Sequence, residues 1–338
     1  MSRYFPQLFD GHTNCAGSSV QSWKNLAACP RARADEITSL ERERLPQPER
    51  PHLIGNWDIS MKIVRFELNG KPRWGVLTEP TKVSPLNERF DGREMLNFVR
   101  PESLLEDIEG RTIDASHLNW LPPTLARPKI ICIGKNYADH AKEMGGDVPE
   151  LPVVFSKFAS TLIPHRGKIV VPAISEQVDF EAELVVIMGR QGRHIQQESA
   201  LQYVAGFTCG NDVSARDWQT GKPGGQWLLG KTFDTFGPLG PVLVTTDEVG
   251  DPQDLNVCLR LNGQVMQQAN TSSMLYRIDY LISHISQFFT LEPGDLIFTG
   301  TPAGVGAGRT PPVFLKPGDD IEIEISKIGK LHNSVVAG

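Results

Sequence analysis

From Lys129 onward the sequence is a series of short apolar runs, each bounded by glycine or proline. Seven runs have the composition of β-strands: KIICIG, KIVVPAI, AELVVIMG, GPVLVTT, NVCLRLNGQVMQ, GDLIFTGTP and DDIEIEISKIG. Asn262-Gly263 predicts a hairpin within one of them. Helical spacing is clear in RIDYLISHISQFF, which places on one face Ile278, Leu281, Ile282, Ile285, Phe288 and Phe289. Many strands and few helices predict a mainly β structure of the α+β class, closed or layered to cover its edges.

Three regions are predicted along the chain. Residues 1–60 show no sustained periodicity and end in the proline-rich LPQPERPHL, which is typical of an extended or mobile leader. Alternating apolar runs follow and flank Asn69-Gly70, a dipeptide that favours a hairpin turn. We therefore expect a small β-rich N-terminal domain over residues 61–125 and a catalytic domain over residues 126–338.

Composition and charge argue against several classes of protein. The 338 residues carry a formal net charge of −6, which disfavours a broad nucleic-acid-binding surface. No apolar run approaches the roughly 18 residues of a membrane span. The five cysteines form no C-x-x-C pair and favour a reducing compartment. We expect a cytoplasmic protein, or one of the mitochondrial matrix if the source is a eukaryote, with no nucleic-acid or membrane partner.

Acidic side chains recur at alternate positions of the otherwise apolar segment VDFEAELVVI, residues 178–187. Because side chains at i and i+2 of a strand point to the same side, Glu181 and Glu183 can direct their carboxylates to one point. Two uncompensated carboxylates repel each other, and a bound cation removes that repulsion. A solvated acidic strand face is the alternative interpretation of an isolated E-x-E pattern.

A third acid, Asp212, follows in the polar turn of GFTCGNDVSARDWQ. Three carboxylates from two segments suit a hard divalent cation, and none of the three positions is the His or Cys that zinc would favour. The pattern predicts Mg²⁺, with Mn²⁺ or Ca²⁺ as substitutes. Asp179 is not assigned as a ligand, because it can equally cap a turn or remain solvated.

Six motifs, in this order, resemble the fumarylacetoacetate hydrolase superfamily: GKNYADHAKEMG, FSKFAS, DFEAELVVIMG, NDVSARDWQ, QWLLGKTFDTFGPLGP and GDLIFTGTPAGVG. The resemblance covers roughly residues 129–335 and is strongest to the domain-containing protein 2 branch of that family. It implies a mixed β-sandwich roll with short helices that forms a homodimer. It also implies that Glu181, Glu183 and Asp212 hold Mg²⁺ and that the substrate is a small anionic 2-oxo acid.

The resemblance assigns further residues to proton transfer. His140 and Glu143 in YADHAKEM would share one face of a short helix. The family implies a mobile lid whose closure makes them an acid–base pair, whereas a plain surface pair is the alternative. Lys231 in LLGKTFD would lie beside the metal, where the ion and desolvation would lower its pKa and let it exchange a proton with the enolate carbon. An isolated lysine is otherwise most often a surface cation.

Substrate oxygens are assigned by the resemblance to four further residues. These are Arg216 and Gln219 in SARDWQ, Thr301 in TGTPAGVGAG and, as a weaker candidate, Lys157 in FSKFAS. A guanidinium is well shaped for a carboxylate. The glycine-rich run is not a dinucleotide fingerprint, because RTPPVFLKPGD follows it and these prolines exclude the required helix. A tight turn between strands is the alternative role of this loop.

Three functions are consistent with these residues. The first is keto–enol tautomerisation of a 2-oxo dicarboxylate, oxaloacetate above all, since an ion held at C1 and C2 acidifies the C3 protons and stabilises an enolate. The second is C–C chemistry on the same acids: hydrolysis of an acylpyruvate such as fumarylpyruvate, or decarboxylation of oxaloacetate. The third is a non-catalytic module that binds metal and ligand. The intact set of motif residues favours an enzyme, and the branch that the motifs resemble most favours the tautomerase.

Overall fold

The computed structural model describes residues 61–79, 81–88, 108–125 and 127–338. Within these ranges nineteen strands dominate and the α-helices are short. The leader that we predict over residues 1–60 lies outside the described residues. In the described part of the chain no helix is long and apolar enough to cross a membrane.

Strands and helices are numbered in chain order. The strands are β1 Lys62–Leu68, β2 Lys71–Glu79, β3 Lys82–Pro85, β4 Ile113–Asp114, β5 Asn119–Leu121, β6 Ile130–Gly134, β7 Val153–Lys157, β8 Leu162–Ile163, β9 Lys168–Val171, β10 Val178–Asp179, β11 Ala182–Met188, β12 Val204–Asn211, β13 Ser214–Ala215, β14 Gly237–Thr245, β15 Asn256–Leu261, β16 Gln264–Asn270, β17 Leu296–Phe298, β18 Asp320–Ile325 and β19 Gly329–Ala337. The α-helices are α1 Ala138–Glu143, α2 Arg216–Gln219, α3 Trp227–Lys231, α4 Thr246–Val249 and α5 Ile278–Ser286. Short 3₁₀ helices cover Ala115–His117, Ala159–Thr161, Gln197–Tyr203 and Thr271–Ser273.

Twelve strands form one mixed sheet in the order β4-β3-β2-β1-β14-β12-β11-β17-β6-β7, with β5 beside β1 and β8 beside β14. Five strands form a second sheet in the order β16-β15-β18-β19-β9, and β10 pairs with β13 as a short ribbon. Each of the seven strand-like runs in the sequence contains a strand of the structure. The prediction of a mainly β, α+β fold with short helices is therefore confirmed.

Strand β11 shows how the large sheet is covered on both faces. Ala182, Leu184 and Val186 belong to a core that includes apolar residues of the smaller sheet. Val185 and Ile187 belong to a second core on the opposite face. Burying each large aliphatic side chain of this kind contributes about 1.5–3 kcal/mol to stability. This alternation fixes the register of the strand, in which Glu183 lies, with Glu181 directly before it.

Both hairpin predictions are confirmed. Asn69 (φ 53°) and Gly70 (φ 74°) form the two-residue turn between β1 and β2. Asn262 (φ 52°) and Gly263 (φ 81°) do the same between β15 and β16. Positive φ at both central residues gives the turn a twist that matches the flanking strands, which explains the Asn-Gly signal.

The helical prediction for RIDYLISHISQFF is correct for its first part. Helix α5 buries the four aliphatic residues that the spacing places inside: Ile278, Leu281, Ile282 and Ile285. The prediction is wrong for Phe288, which is 66% exposed. The helix ends at Ser286, so the helical periodicity does not extend to this position.

Strands from both sides of the predicted boundary between residues 125 and 126 enter the large sheet. Strand β1 pairs with β14 through Lys62↔Val244 and Ile63↔Leu243. The described residues on both sides of this boundary belong to one compact unit. The division of this part of the chain into a small N-terminal domain and a catalytic domain stays a prediction.

Candidate active site

Three buried carboxylates converge where β11 and β12 meet. Glu181 directly precedes β11, Glu183 lies within it, and Asp212 directly follows β12. The antiparallel pairing of Ala182 with Asn211 brings the two segments together, and the Asp212 N–H donates to the Glu181 carbonyl at 2.9 Å. One oxygen from each carboxylate lies within 4.8 Å of the others. The structure thus assembles the three predicted ligands at one point.

Three buried cations contact these acids. The amino group of Lys231 lies 2.8 Å from both Glu181 Oε2 and Asp212 Oδ2. Arg216 lies 2.7 Å from Glu181 Oε1 and 2.9 Å from Asp179 Oδ2. All of these charged groups are desolvated, so their interactions are much stronger than those of surface ion pairs.

Lys157 is the third buried cation. Its amino group contacts Asp212 Oδ1 at 2.5 Å and donates to the Val213 carbonyl at 3.0 Å. It is 3% exposed and is not among the described residues that line the cleft presented below. The structure shows Lys157 holding Asp212, and its role in substrate binding stays a prediction.

Counting the charges shows an excess of acid. Asp179, Glu181, Glu183 and Asp212 face the three cations, so one buried negative charge is uncompensated. Glu183 accepts a hydrogen bond from the Gly300 N–H at 2.8 Å, yet burial and the neighbouring Asp212 and Glu181 carboxylates raise its pKa well above the usual value. A divalent cation would remove this repulsion, and oxygen donors are what a hard ion requires. The residues present therefore fit the metal that the sequence predicts.

The cations shift the other titratable groups. Burial acts to raise the pKa of Glu181, but Lys231 and Arg216 outweigh it and hold that pKa below its usual value. Burial acts to lower the pKa of Lys231, but Asp212 and Glu181 outweigh it and raise that pKa. The sequence analysis expects a lowered pKa for Lys231, whereas these two carboxylates raise it. A lowered pKa would require a bound cation that competes with Lys231 for Asp212 and Glu181.

The predicted acid–base pair lies on α1, as the spacing indicated. His140 is buried, and its Nδ1 lies 3.4 Å from Glu143 Oε2. Both Glu143 oxygens accept from the N–H of Gly304, at 2.9 and 3.1 Å. Helix α1 is therefore held against the glycine-rich segment 300–308, which we call the glycine loop.

A cleft that encloses about 670 Å³, open solvent included, borders this cluster. Its lining includes six of the predicted site residues: His140, Glu181, Arg216, Gln219, Lys231 and Thr301. Arg216 donates through NH1 to Gln219 Oε1 at 2.9 Å, which fixes the orientation of that amide. The Gln219 amino group is then directed away from Arg216, and its two N–H groups are suited to bind an oxygen-rich ligand.

Two residues with structural roles in the site were not assigned from the sequence. Asp179 accepts from four donors: the N–H groups of Phe180, Gly306 and Ala307 and the Nε of Arg216, at 2.7–3.0 Å. It thereby joins the glycine loop to Arg216. Its place two residues before Glu181 in the sequence was the available signal.

Gln267 is the second such residue. Its side chain accepts from the Ala182 N–H at 2.9 Å and donates to Thr301 Oγ at 2.7 Å. The Thr301 hydroxyl in turn donates to the Ala182 carbonyl at 2.9 Å. Thr301 is thus fixed by two neighbours at the edge of the cleft. No sequence signal marked Gln267 beyond its being a polar residue within a strand.

Comparison with known proteins identifies a matching family and relatives that align over most of their length. The family described as "Fumarylacetoacetate (FAA) hydrolase C-terminal" matches residues 129–336. The Bos taurus protein named "Oxaloacetate tautomerase FAHD2A, mitochondrial" is 45% identical over 298 residues, which cover 87% of this chain and 91% of that protein. The Homo sapiens protein named "Oxaloacetate tautomerase FAHD2B, mitochondrial" is 51% identical over 297 residues, with the same two coverages.

Solved structures have the same fold. The fumarylacetoacetate hydrolase of Exiguobacterium antarcticum superposes with a TM-score of 0.73 at 38% identity, covering 82% of this chain and 100% of that one. The structure described as 5-carboxymethyl-2-hydroxymuconate delta-isomerase from Mycobacterium smegmatis gives 0.68 at 35% identity, covering 82% and 99%. The residues that match the family, 129–336, include the buried acids, the residues that line the cleft and the glycine loop.

Proposed function

The chain belongs to the fumarylacetoacetate hydrolase family, and we propose that it is a metal-dependent isomerase that interconverts the keto and enol forms of oxaloacetate. The observation that carries the proposal is the buried triad of Glu181, Glu183 and Asp212 beside a cleft lined by Lys231 and His140. The names of relatives at 45% and 51% identity support the choice of substrate.

We propose Mg²⁺ as the ion that the triad holds, with Mn²⁺ or Ca²⁺ as substitutes, because all three ligands are carboxylates. When bound, a divalent ion would polarise the C2 oxygen of a 2-oxo acid and make the C3 protons more acidic. The excess negative charge of the cluster favours binding of such an ion over a neutral ligand.

Lys231 is the residue proposed to move the proton at C3. It lines the cleft, and its amino group is held by Glu181 and Asp212 rather than by solvent. A buried amine beside a cation exchanges protons near neutral pH more readily than an exposed one. Gln219 and Thr301 would orient the substrate oxygens, while Arg216 keeps Gln219 and the loop carboxylate Asp179 in place.

His140 and Glu143 are proposed to close the cleft and to take part in proton transfer at the enol oxygen. Glu143 ties helix α1 to the glycine loop, so closure brings the imidazole over the cleft that it lines. Closure of this kind excludes water, which favours tautomerisation over hydrolysis. Hydrolysis of an acylpyruvate, or decarboxylation of oxaloacetate, is the second candidate, because the same pair is also placed to activate a water molecule.

We propose that the protein is a homodimer. In the part of the chain that the structure describes, β7 pairs with β6 alone and forms an end of the large sheet. Val154 and Phe158 beside this edge are 42% and 54% exposed. A second copy would cover an edge of this kind, and light scattering of the purified protein tests it. The cytoplasm, or the mitochondrial compartment named for the relatives, is the proposed location.

Loss of enol-oxaloacetate absorbance tests the proposed reaction. Purified protein with Mg²⁺ should accelerate the loss, EDTA should abolish the acceleration, and a parallel assay should detect no pyruvate. Glu181→Gln should have no activity in either assay, which rules out a contaminant. Stoichiometric pyruvate would establish a decarboxylase instead, and a protein inert to oxaloacetate but active on acylpyruvates would establish a hydrolase.

A further inference from the structure

One cation that lines the cleft has no acidic partner. Of the four Lys, Arg and His side chains there, Lys231 and Arg216 pair with buried carboxylates and His140 pairs with Glu143. Lys135 also lines the cleft, and among the described residues no carboxylate or hydrogen-bond acceptor contacts its amino group. Its charge is therefore available to a ligand.

The backbone at Lys135 is held in an unfavourable conformation. Its φ is 56°, in the left-handed region that a lysine rarely adopts. The next residue, Asn136, fixes this geometry: its side chain donates to the Thr299 carbonyl at 2.7 Å and accepts from the Tyr276 N–H at 2.7 Å. A conformation that costs about 1–3 kcal/mol persists where the surroundings impose it, and such positions cluster at ligand sites.

The turn after helix α1, the proposed lid, leaves space for the amino group of Lys135. Gly146, just after helix α1, has no side chain there, and a Cβ at this position would lie 2.5 Å from Lys135 Nζ. The amino group thus packs against the turn that follows helix α1, and Lys135 itself lines the cleft. Met144, in the same turn, lines that cleft as well.

Charge determines what this lysine can bind. The metal cluster has one excess negative charge, so a divalent ion leaves it with one excess positive charge, enough for a single carboxylate. We propose that Lys135 binds the second, distal carboxylate of the substrate and so selects 2-oxo dicarboxylates over 2-oxo monocarboxylates. This proposal rests on the proposed function, whose metal site receives the first carboxylate. A distal carboxylate buried in the cleft without a cationic partner would be strongly disfavoured. Because Lys135 can supply that partner, it would favour acids that carry a second carboxylate.

Substitution of Lys135 tests the selectivity. Lys135→Met keeps the length of the side chain and removes the charge, while Lys135→Arg keeps the charge. With Mg²⁺ present, calorimetric binding of oxaloacetate should weaken about 10- to 100-fold in Lys135→Met, the usual effect of losing a charge-assisted hydrogen bond. Binding of pyruvate, which lacks the distal carboxylate, should change less than about 2-fold, and Lys135→Arg should restore most of the oxaloacetate affinity. Lys142→Met, an exposed lysine of the same helix region, is the matched control.

The two proposals fail in different ways. An equal loss of affinity for both acids, or no loss for either, would overturn the role of Lys135 even if the wild-type protein tautomerises oxaloacetate. Wild-type protein that binds the two acids equally would overturn it too. Wild-type protein that binds oxaloacetate selectively through Lys135 but does not isomerise it would instead overturn the proposed reaction and leave the binding role supported.

Discussion

Glu143 and Gly304 join helix α1 to the glycine loop: both carboxylate oxygens of Glu143 accept from the Gly304 N–H, at 2.9 and 3.1 Å. The same carboxylate lies 3.4 Å from His140 Nδ1. One side chain therefore contacts both the glycine loop and the imidazole. Its geometry depends on the absence of a side chain at Gly308, because a Cβ there would collide with Cγ and Cδ of Glu143.

Gly308→Ala should reduce turnover while leaving stability nearly unchanged. The methyl group would displace the flexible end of Glu143 rather than backbone, so the free energy of unfolding should change by less than about 1 kcal/mol. A displaced Glu143 would misplace His140 and the lid, and small errors of this kind cost about 10- to 100-fold in kcat. Steady-state kinetics and thermal melting measure the two effects.

Gly110→Ala serves as the control, since a Cβ at Gly110 meets no atom within 4 Å. It should leave both kcat and the melting temperature unchanged. If Gly308→Ala has wild-type kcat, the contact between Glu143 and Gly304 does not control turnover.

Much of the site could be predicted because its key residues lie close together in the sequence. The two-residue period of a strand places Glu181 and Glu183 together without any knowledge of the rest of the chain. The turn after an apolar run identified Asp212 in the same way. Local spacing placed His140 and Glu143 on one face of a short helix, whereas their assignment to the site came from the family resemblance.

The remaining features depend on contacts between distant segments. Asp179 receives its loop donors from Gly306 and Ala307, and Gln267 meets Ala182, pairs that no local pattern relates. Lys157 contacts Asp212 from an edge strand, β7, whose place in the sheet the sequence does not reveal.

Glu183→Gln should stabilise the metal-free protein and abolish the stabilisation that Mg²⁺ gives to the wild type. The amide still accepts the Gly300 N–H, and it cannot acquire the negative charge that burial and the carboxylates of Asp212 and Glu181 disfavour at this position. In EDTA the free energy of unfolding should rise by about 1–3 kcal/mol. Wild-type protein should gain about 3 kcal/mol when Mg²⁺ is present at 100 times its Kd, and the variant should gain almost nothing.

Urea unfolding with and without Mg²⁺ provides the measurement. Glu67→Gln removes an exposed carboxylate of β1 and should retain the full wild-type response. A Glu183→Gln variant that is still stabilised by Mg²⁺ would show that the ion binds elsewhere.

Asp179→Asn should destabilise the protein and misplace the glycine loop. The carboxylate accepts from four donors, whereas an amide offers one oxygen and turns its amino group towards N–H groups and Arg216. Removing one partner from a buried charged network costs about 3–5 kcal/mol. Denaturant unfolding and the KM for oxaloacetate should both show the effect.

Asp319→Asn is the comparison for that change. Asp319 also caps a turn, accepting from the Lys316 N–H and from the Asn262 side-chain amide, each at 2.8 Å, but neither donor belongs to the glycine loop. Its substitution should cost about 1 kcal/mol and leave KM unchanged. Equal effects of the two substitutions would contradict the special role of Asp179.

His165 should make stability depend on pH below neutrality. Burial, with smaller contributions from Arg166 and His332, lowers its pKa from 6.5 to about 4. Its Nδ1 accepts from the His332 N–H at 3.2 Å, which requires an unprotonated nitrogen. Between pH 6.5 and about 4 the unfolded chain binds a proton that the folded chain does not. The free energy of unfolding therefore decreases as the pH is lowered, by about 2–3 kcal/mol across this window.

His165→Asn removes the titrating group and keeps an acceptor for the His332 N–H. The pH dependence between 6.5 and 4 should become correspondingly shallower, although the variant is less stable than the wild type at pH 7 because a ring that packs edge-on against Trp120 is lost. Urea unfolding at several pH values gives the slope. His117→Asn, at an exposed position, should leave the slope as it is in the wild type. Parallel curves for wild type and His165→Asn would mean that His165 is protonated in the folded protein as readily as in the unfolded chain.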